Sequence, residues 1–103
     1  MVMISSRNRS TTKRRPALVL SNEKKFNKKV GQSVLAMITS ANNSGLPLDT
    51  NINDLDEAGL PSPSVVRMKF FTLDDRFVLR KAGELSHKDK LATQAALKEL
   101  LGA

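Results

Sequence analysis

The sequence predicts a mainly β fold with a C-terminal helix: a small, strongly bent antiparallel sheet or open barrel closed by that helix. Three observations predict it. Two short apolar runs, Ala17–Leu20 and Ser33–Thr39, are too brief for helices and suit buried strands. Val65–Phe71 alternates between two faces, as a half-exposed antiparallel strand does. The one stretch with helical spacing, Ser86–Leu101, comes last. At 103 residues the chain is expected to be a single domain, residues 1–103.

Taken in order, Met1–Ile4 is an apolar run that can form a strand, and Ser5–Thr12 (SSRNRSTT) reads as a polar, basic loop. In KRRPALVLS (13–21), Pro16 fixes its own φ and pushes Arg15 towards extended geometry. A guanidinium pair is thus held at the mouth of the Ala17–Leu20 strand, which Ser21-Asn22 ends with turn chemistry. Asn22–Gly31 is a charged connection with one apolar anchor, Phe26. Ser33–Thr39 runs into the hydroxyl pair Thr39-Ser40. A structureless loop as long as 41–64 is unusual in a compact domain, so a short strand is expected near Leu46–Ile52 and a turn over Asp54–Gly59. Pro47, Pro61 and Pro63 restrict that strand to an edge or an end. In the next strand Val66, Met68 and Phe70 share one face. Asp74-Asp75 reads as a turn, Arg76–Arg80 as the return strand, and Gly83 as its end. Ser86 and Asp89 suit a helix N-terminus; Leu91, Leu97, Leu100 and Leu101 with the alanines supply a packing face, and Gly102 a stop.

Charge is unevenly placed. The formal net charge is +7, and residues 1–29 hold nine Lys or Arg against the single acid Glu23. Residues 41–63 hold four acids and no cation. The basic end is an electrostatic footprint for a polyanion. With only four aromatic residues, all Phe, a broad base-stacking platform is not expected, so nucleic-acid contacts should run to phosphates and base edges. The absence of cysteine excludes disulfides and thiolate chemistry and fits a reducing compartment. Neither a membrane span nor a signal peptide is visible, so the expected location is the cytoplasm, without membrane association.

The residues allow little chemistry. A paired-histidine nuclease is impossible within one chain, since His87 is the sole histidine, and its place in the first helical turn suits capping. Asp54, Asp56 and Glu57 read as a turn rather than a metal cluster, so no metal and no cofactor is expected. No Gly-rich phosphate loop, G-x-S-x-G or H-E-x-x-H occurs. What remains is Arg15 at the start of one strand and Thr39-Ser40 at the end of the next. If those strands pair antiparallel, cation and hydroxyls meet at one sheet edge, where they can grip a phosphodiester. The bland alternatives are solvated strand-end cations that discourage edge pairing, and a threonine bonded to local backbone.

KRRPALVLSN (13–22), VLAMITS (34–40), DLDEAGLPSPSVVRMKFFTLD (54–74) and RFVLRKAGELSHKD (76–89) together resemble the MazF/PemK family of toxin endoribonucleases from bacterial toxin–antitoxin pairs. The resemblance implies a small SH3-like barrel of the CcdB/MazF kind, usually a homodimer neutralised by an antitoxin protein. It implies cleavage of single-stranded RNA, often messenger RNA, at short sequences without a metal. The family's main catalytic groups map onto Arg15 and Thr39, with Lys13, Arg14, Ser40 and Arg67 as candidate RNA contacts. Some members place an aspartate two residues after the arginine equivalent to Arg67; here that position is Lys69. Members usually begin with Gly-Asp and a long apolar first strand. Over residues 1–12 of this chain that strand and its loop are therefore expected to be truncated or replaced. Two rival readings stand beside the nuclease: a degenerate member that binds antitoxin or RNA without cutting, and a topoisomerase poison like the CcdB group.

Overall fold

The apolar run at Ser33–Thr39 becomes the centre of the sheet. In the computed structural model, which describes residues 1–8 and 11–102 and the side chains of these outside 6–12, the strand β3 (Gln32–Ser40) lies between β2 (Thr11–Val19) and β5 (Ser64–Asp74). Its alternate residues load both faces of the sheet. Ala36 and Ile38 join Val66, Ile52, Leu60 and Leu85 in one cluster, and Leu35 joins Ile4 and Ala17 in a second. Leu18 and Leu20 pack on the first and Val19 on the second, so the Ala17–Leu20 run is covered on both faces, as expected.

The six strands form one antiparallel sheet in the order β4-β5-β3-β2-β1-β6, with β1 at Val2–Asn8, β4 at Thr50–Asn51 and β6 at Val78–Lys81. The mainly β architecture with a C-terminal helix is thus as the sequence predicts, and the short β4 is an edge strand inside the segment expected to hold one. Three details differ. Strand β1 continues past Ile4 to Asn8, pairing with Thr11–Ala17 of β2 and, at Val2–Ile4, with β6. Ser5–Asn8 and Thr11-Thr12 are therefore ladder rather than loop, because a hairpin satisfies backbone groups whatever the polarity of its side chains. The expected loop's centre, residues 9 and 10, lies outside the described residues.

The expected return strand does not pair with β5. Asp74 Oδ1 accepts the Arg76 N–H, opening a single helical turn at Asp75–Phe77, and Ser33 Oγ donates to Asp75 Oδ1 at 2.6 Å. After that turn β6 crosses to the free edge of β1 on the far side of the sheet. The third difference is a bulge: Phe70 sits opposite Ala36 but Arg67 opposite Met37, leaving Met68 and Lys69 as extra residues that bend β5. Val66 stays buried and Met68 packs on the core, while Phe70 swings to 40% exposure, so the alternation Val66, Met68, Phe70 breaks.

The charged connection 22–31 folds into a wide helical turn (Glu23–Asn27) and α1 (Lys28–Val30). Asn27, not Phe26, is its buried anchor: the Ser21 hydroxyl donates to Asn27 Oδ1 and accepts from the Val34 N–H. The expected turn at Asp54–Gly59 is α2 (Leu55–Ala58) with Gly59 left-handed at its end. There backbone meets backbone: a Cβ on Gly83 would lie 2.5 Å from the Glu57 carbonyl oxygen.

Helix α3 (His87–Leu101) is capped by Ser86 Oγ, which accepts the Asp89 N–H at 3.2 Å. Of the four expected leucines, Leu97 alone turns inward, half-buried beside Thr93. Asp89, Thr93 and Ala96 are buried, while Leu91, Leu100 and Leu101 are exposed. Asp89 explains the rotation, since its carboxylate accepts the backbone N–H groups of Asn53 and Asp54. Among the described residues no helix is long and apolar enough to cross a membrane.

Candidate functional site

Pro16 opens the site. Strand β2 pairs with β3 only at Ala17–Val19, and the ladder stops one residue after Pro16, which has no N–H to give it. Arg15 is therefore mid-strand, held by pairing with Ile4 of β1, yet free of β3 on its other side. Carrying the β2–β3 register on from Ala17 sets Arg15, two residues further, opposite Thr39 and Arg14, three residues further, opposite Ser40. The gap between the diverging strands is a groove of about 430 Å³. Lys13, Arg14, Arg15 and Pro16 form one wall, and Ile38, Thr39, Ser40 and Asn43 another. Leu60, Pro61, Ser62 and Ser64 close it.

The electrostatics of this groove are one-sided. Three cations line it and, among the described residues, no carboxylate does. Among the described residues, none of Lys13, Arg14 and Arg15 makes an ion pair. All three are exposed, so their charge reaches the groove with little lost to burial. Two other cavities carry carboxylates: Glu84 in one beneath α3, and Glu23 and Asp75 in one beside β6. An anion is favoured at the Arg15 groove on charge alone.

Arg67 is not brought there. Its guanidinium is committed to Asp49, with Nη2–Oδ2 at 2.9 Å and Nε–Oδ1 at 3.2 Å, and to the Ser44 carbonyl at 2.7 Å. This hydrogen-bonded pairing holds the Asp49 carboxyl below its usual range and raises Arg67 above its own. The arginine acts as a clamp on the loop that follows β3. His87 is exposed at the start of α3 and does not line the groove. Among the described residues no group of three or more His, Asp or Glu side chains converges as a metal site.

Sequence reasoning missed Asn43. Its Nδ2 donates to Thr39 Oγ1 at 2.5 Å. The signal was present in Ser40-Ala41-Asn42-Asn43: serine at the first position of a turn, asparagine at the last. The Asn43 N–H donates to the Ser40 carbonyl at 3.1 Å, and the Asn42 N–H to Ser40 Oγ at 3.2 Å, so the turn folds Asn43 back over the strand end.

The chain superposes on the Mycobacterium tuberculosis toxin MazF-mt6 with a TM-score of 0.75 at 22% identity, covering 99% of this chain and 97% of that one. It superposes on a MazE–MazF crystal structure (Form-III) from Deinococcus radiodurans with a TM-score of 0.77 at 25% identity, covering 98% and 91%. A second MazE–MazF crystal form (Form-II) from that organism gives 0.68 at 28% identity, covering 86% and 82%. Curated protein sequences give no significant match. The profile of the family described as "PemK-like, MazF-like toxin of type II toxin-antitoxin system" matches residues 2–101, and the chain belongs to that family.

Proposed function

We propose that this toxin is a metal-independent endoribonuclease that cuts single-stranded RNA, messenger RNA above all, at short sequences. One observation carries the reading: Arg15 and Thr39, far apart in the chain, line one acid-free groove at the rim where β2 and β3 part. The 2′-oxygen of the RNA attacks the adjacent phosphorus, the bond to the 5′-oxygen breaks, and the products are a 2′,3′-cyclic phosphate and a 5′-hydroxyl. The proton lost from the 2′-hydroxyl and the one gained by the 5′-oxygen exchange with solvent. Negative charge builds on the phosphorane, and the Arg15 guanidinium is there to stabilise it. A guanidinium, all donors and no acceptor, suits electrostatics rather than base work. Thr39 donates to a non-bridging oxygen. Lys13, Arg14 and Ser40 hold flanking phosphates, and DNA, lacking the 2′-hydroxyl, resists.

The chain works as a cytoplasmic homodimer held in check by an antitoxin. Met37 and Phe70 on neighbouring strands are exposed apolar side chains, and two of the similar crystal structures are MazE–MazF complexes; both support a protein partner. Incubation of purified protein with mixed-sequence RNA in EDTA tests the nuclease. Wild type should cut, and Arg15→Ala should lose about 10²–10³-fold in rate. If wild type and Arg15→Ala leave the RNA equally intact, the nuclease reading fails; a stable antitoxin complex alongside intact RNA would mark a member that binds without cleaving.

A further inference from the structure

We propose that Asn43 is a positioning residue for Thr39: its amide fixes the threonine hydroxyl as a donor into the groove. The inference rests on the nuclease reading above and goes beyond it, because it assigns a role to a residue outside the Arg–Thr pair. A hydroxyl has one proton to give and two lone pairs. Left alone at a strand end, Thr39 would turn that proton to whatever carbonyl or water is nearest. The Asn43 amide changes this by donating to Oγ1. One lone pair is then occupied by a group that can only donate there, so the Thr39 proton has to point elsewhere. Thr39 and Asn43 both line the groove, so the freed proton is available to a phosphate bound there. Accepting one hydrogen bond also polarises the hydroxyl and makes it a stronger donor.

Asn43 is itself held. The turn bonds from its N–H to Ser40 and from Asn42 N–H to Ser40 Oγ fix it from one side. From the other, Arg67 grips the carbonyl of Ser44, the next residue, and the Asp49 carboxylate accepts the Leu46 N–H. The contact is therefore built by the loop rather than left to an idle surface amide.

The side chain chosen at residue 43 is decisive. Asparagine can donate through Nδ2, as it does here; an ionised aspartate can only accept. In Asn43→Asp the carboxylate would take the Thr39 proton for itself and turn it away from the phosphate. The test is single-turnover cleavage, in EDTA, of a short RNA whose cut site has been mapped from wild-type products. Asn43→Ala should lower the rate at saturation about tenfold and leave the half-saturating protein concentration within about twofold, since orientation of one transition-state donor is lost and binding is not. Asn43→Asp should cost more, approaching the loss in Thr39→Ala. In a Thr39→Ala background, Asn43→Ala should cost nothing further, because the group it positions is gone. Asn42→Ala, one residue earlier in the same turn, should cut at the wild-type rate.

Asn43→Ala at the wild-type rate overturns the proposal. So does an equal loss from Asn43→Ala with and without the Thr39 hydroxyl, which would mark a merely structural loop residue. If wild type itself leaves RNA intact, the nuclease reading falls and takes this inference with it. That outcome is distinct from the other two.

Discussion

Asp89 and Thr93 lie one turn apart on the inward face of α3, and one is paired while the other is not. Asp89 is 1% exposed and its carboxylate accepts two backbone N–H groups, at 3.0 Å from Asp54 and 3.1 Å from Asn53. Thr93 Oγ1 is buried with no hydrogen-bond partner among the described residues. Removing the first strands two donors; removing the second relieves an orphan. Asp89→Ala should therefore cost about 3 kcal/mol, and Thr93→Val should gain about 1 kcal/mol, in urea denaturation. A destabilised Thr93→Val would mean that its hydroxyl is satisfied after all. Ser86 and Asp89 were legible in the sequence as a helix start, because capping is local chemistry. The buried face was not, because the helix lies over the Asn53–Asp54 backbone, and that surface asks for a carboxylate where periodicity asks for leucine. Thr39 and Arg15 were legible for the opposite reason: each marks a strand end or a proline boundary, and antiparallel order alone brings such positions together.

At the scale of elements, the loop between β3 and β4 is the part that the sequence hid. Its composition suggests a solvated connection, and Arg67 reads as a strand cation. The bulge in β5 places Arg67 opposite Met37, and its guanidinium reaches across to Asp49. No local pattern announces that, since the bulge depends on how two strands meet. Hairpin β1–β2 was hidden too, as polar side chains in a two-stranded ribbon carry no inward–outward code. The Arg67–Asp49 clamp has a pH signature. Pairing with Arg67 lowers the folded-state pKa of Asp49, so the unfolded chain takes up its proton first as pH falls. The clamp's stabilisation is present in full above the unfolded carboxylate value of about 4 and is lost as pH drops through the lower folded value. Denaturant stability of wild type and Asp49→Asn, measured from neutral pH downward, should differ by a constant amount above about pH 5 and converge in more acid solution. A gap that stays constant through the acid range would show that Asp49 titrates alike in the folded and unfolded chain.

For the whole molecule the question is whether +7 acts as a diffuse field or along one track. Net charge steers a polyanion to the protein from a distance, and salt screens that steering. Contact is different: each cation that neutralises a phosphate releases counterions, and for a single strand the log–log salt slope of affinity changes by about 0.7 for each such contact. Lys13 and Arg14 line the groove; Lys25 and Lys29, on the connection between β2 and β3, are exposed and do not. All four contribute equally to net charge. With an RNA made uncleavable by a 2′-deoxy residue at the cut site, binding measured from about 50 to 200 mM salt should separate them. Lys13→Gln and Arg14→Gln should each flatten the slope by about 0.7, while Lys25→Gln and Lys29→Gln should leave it unchanged and weaken binding slightly at the lowest salt alone. Equal flattening by all four would mean that RNA spreads over the basic face, and the groove would lose its claim to the scissile phosphate. Selective flattening ties the charge asymmetry of the sequence to the groove where β2 and β3 part.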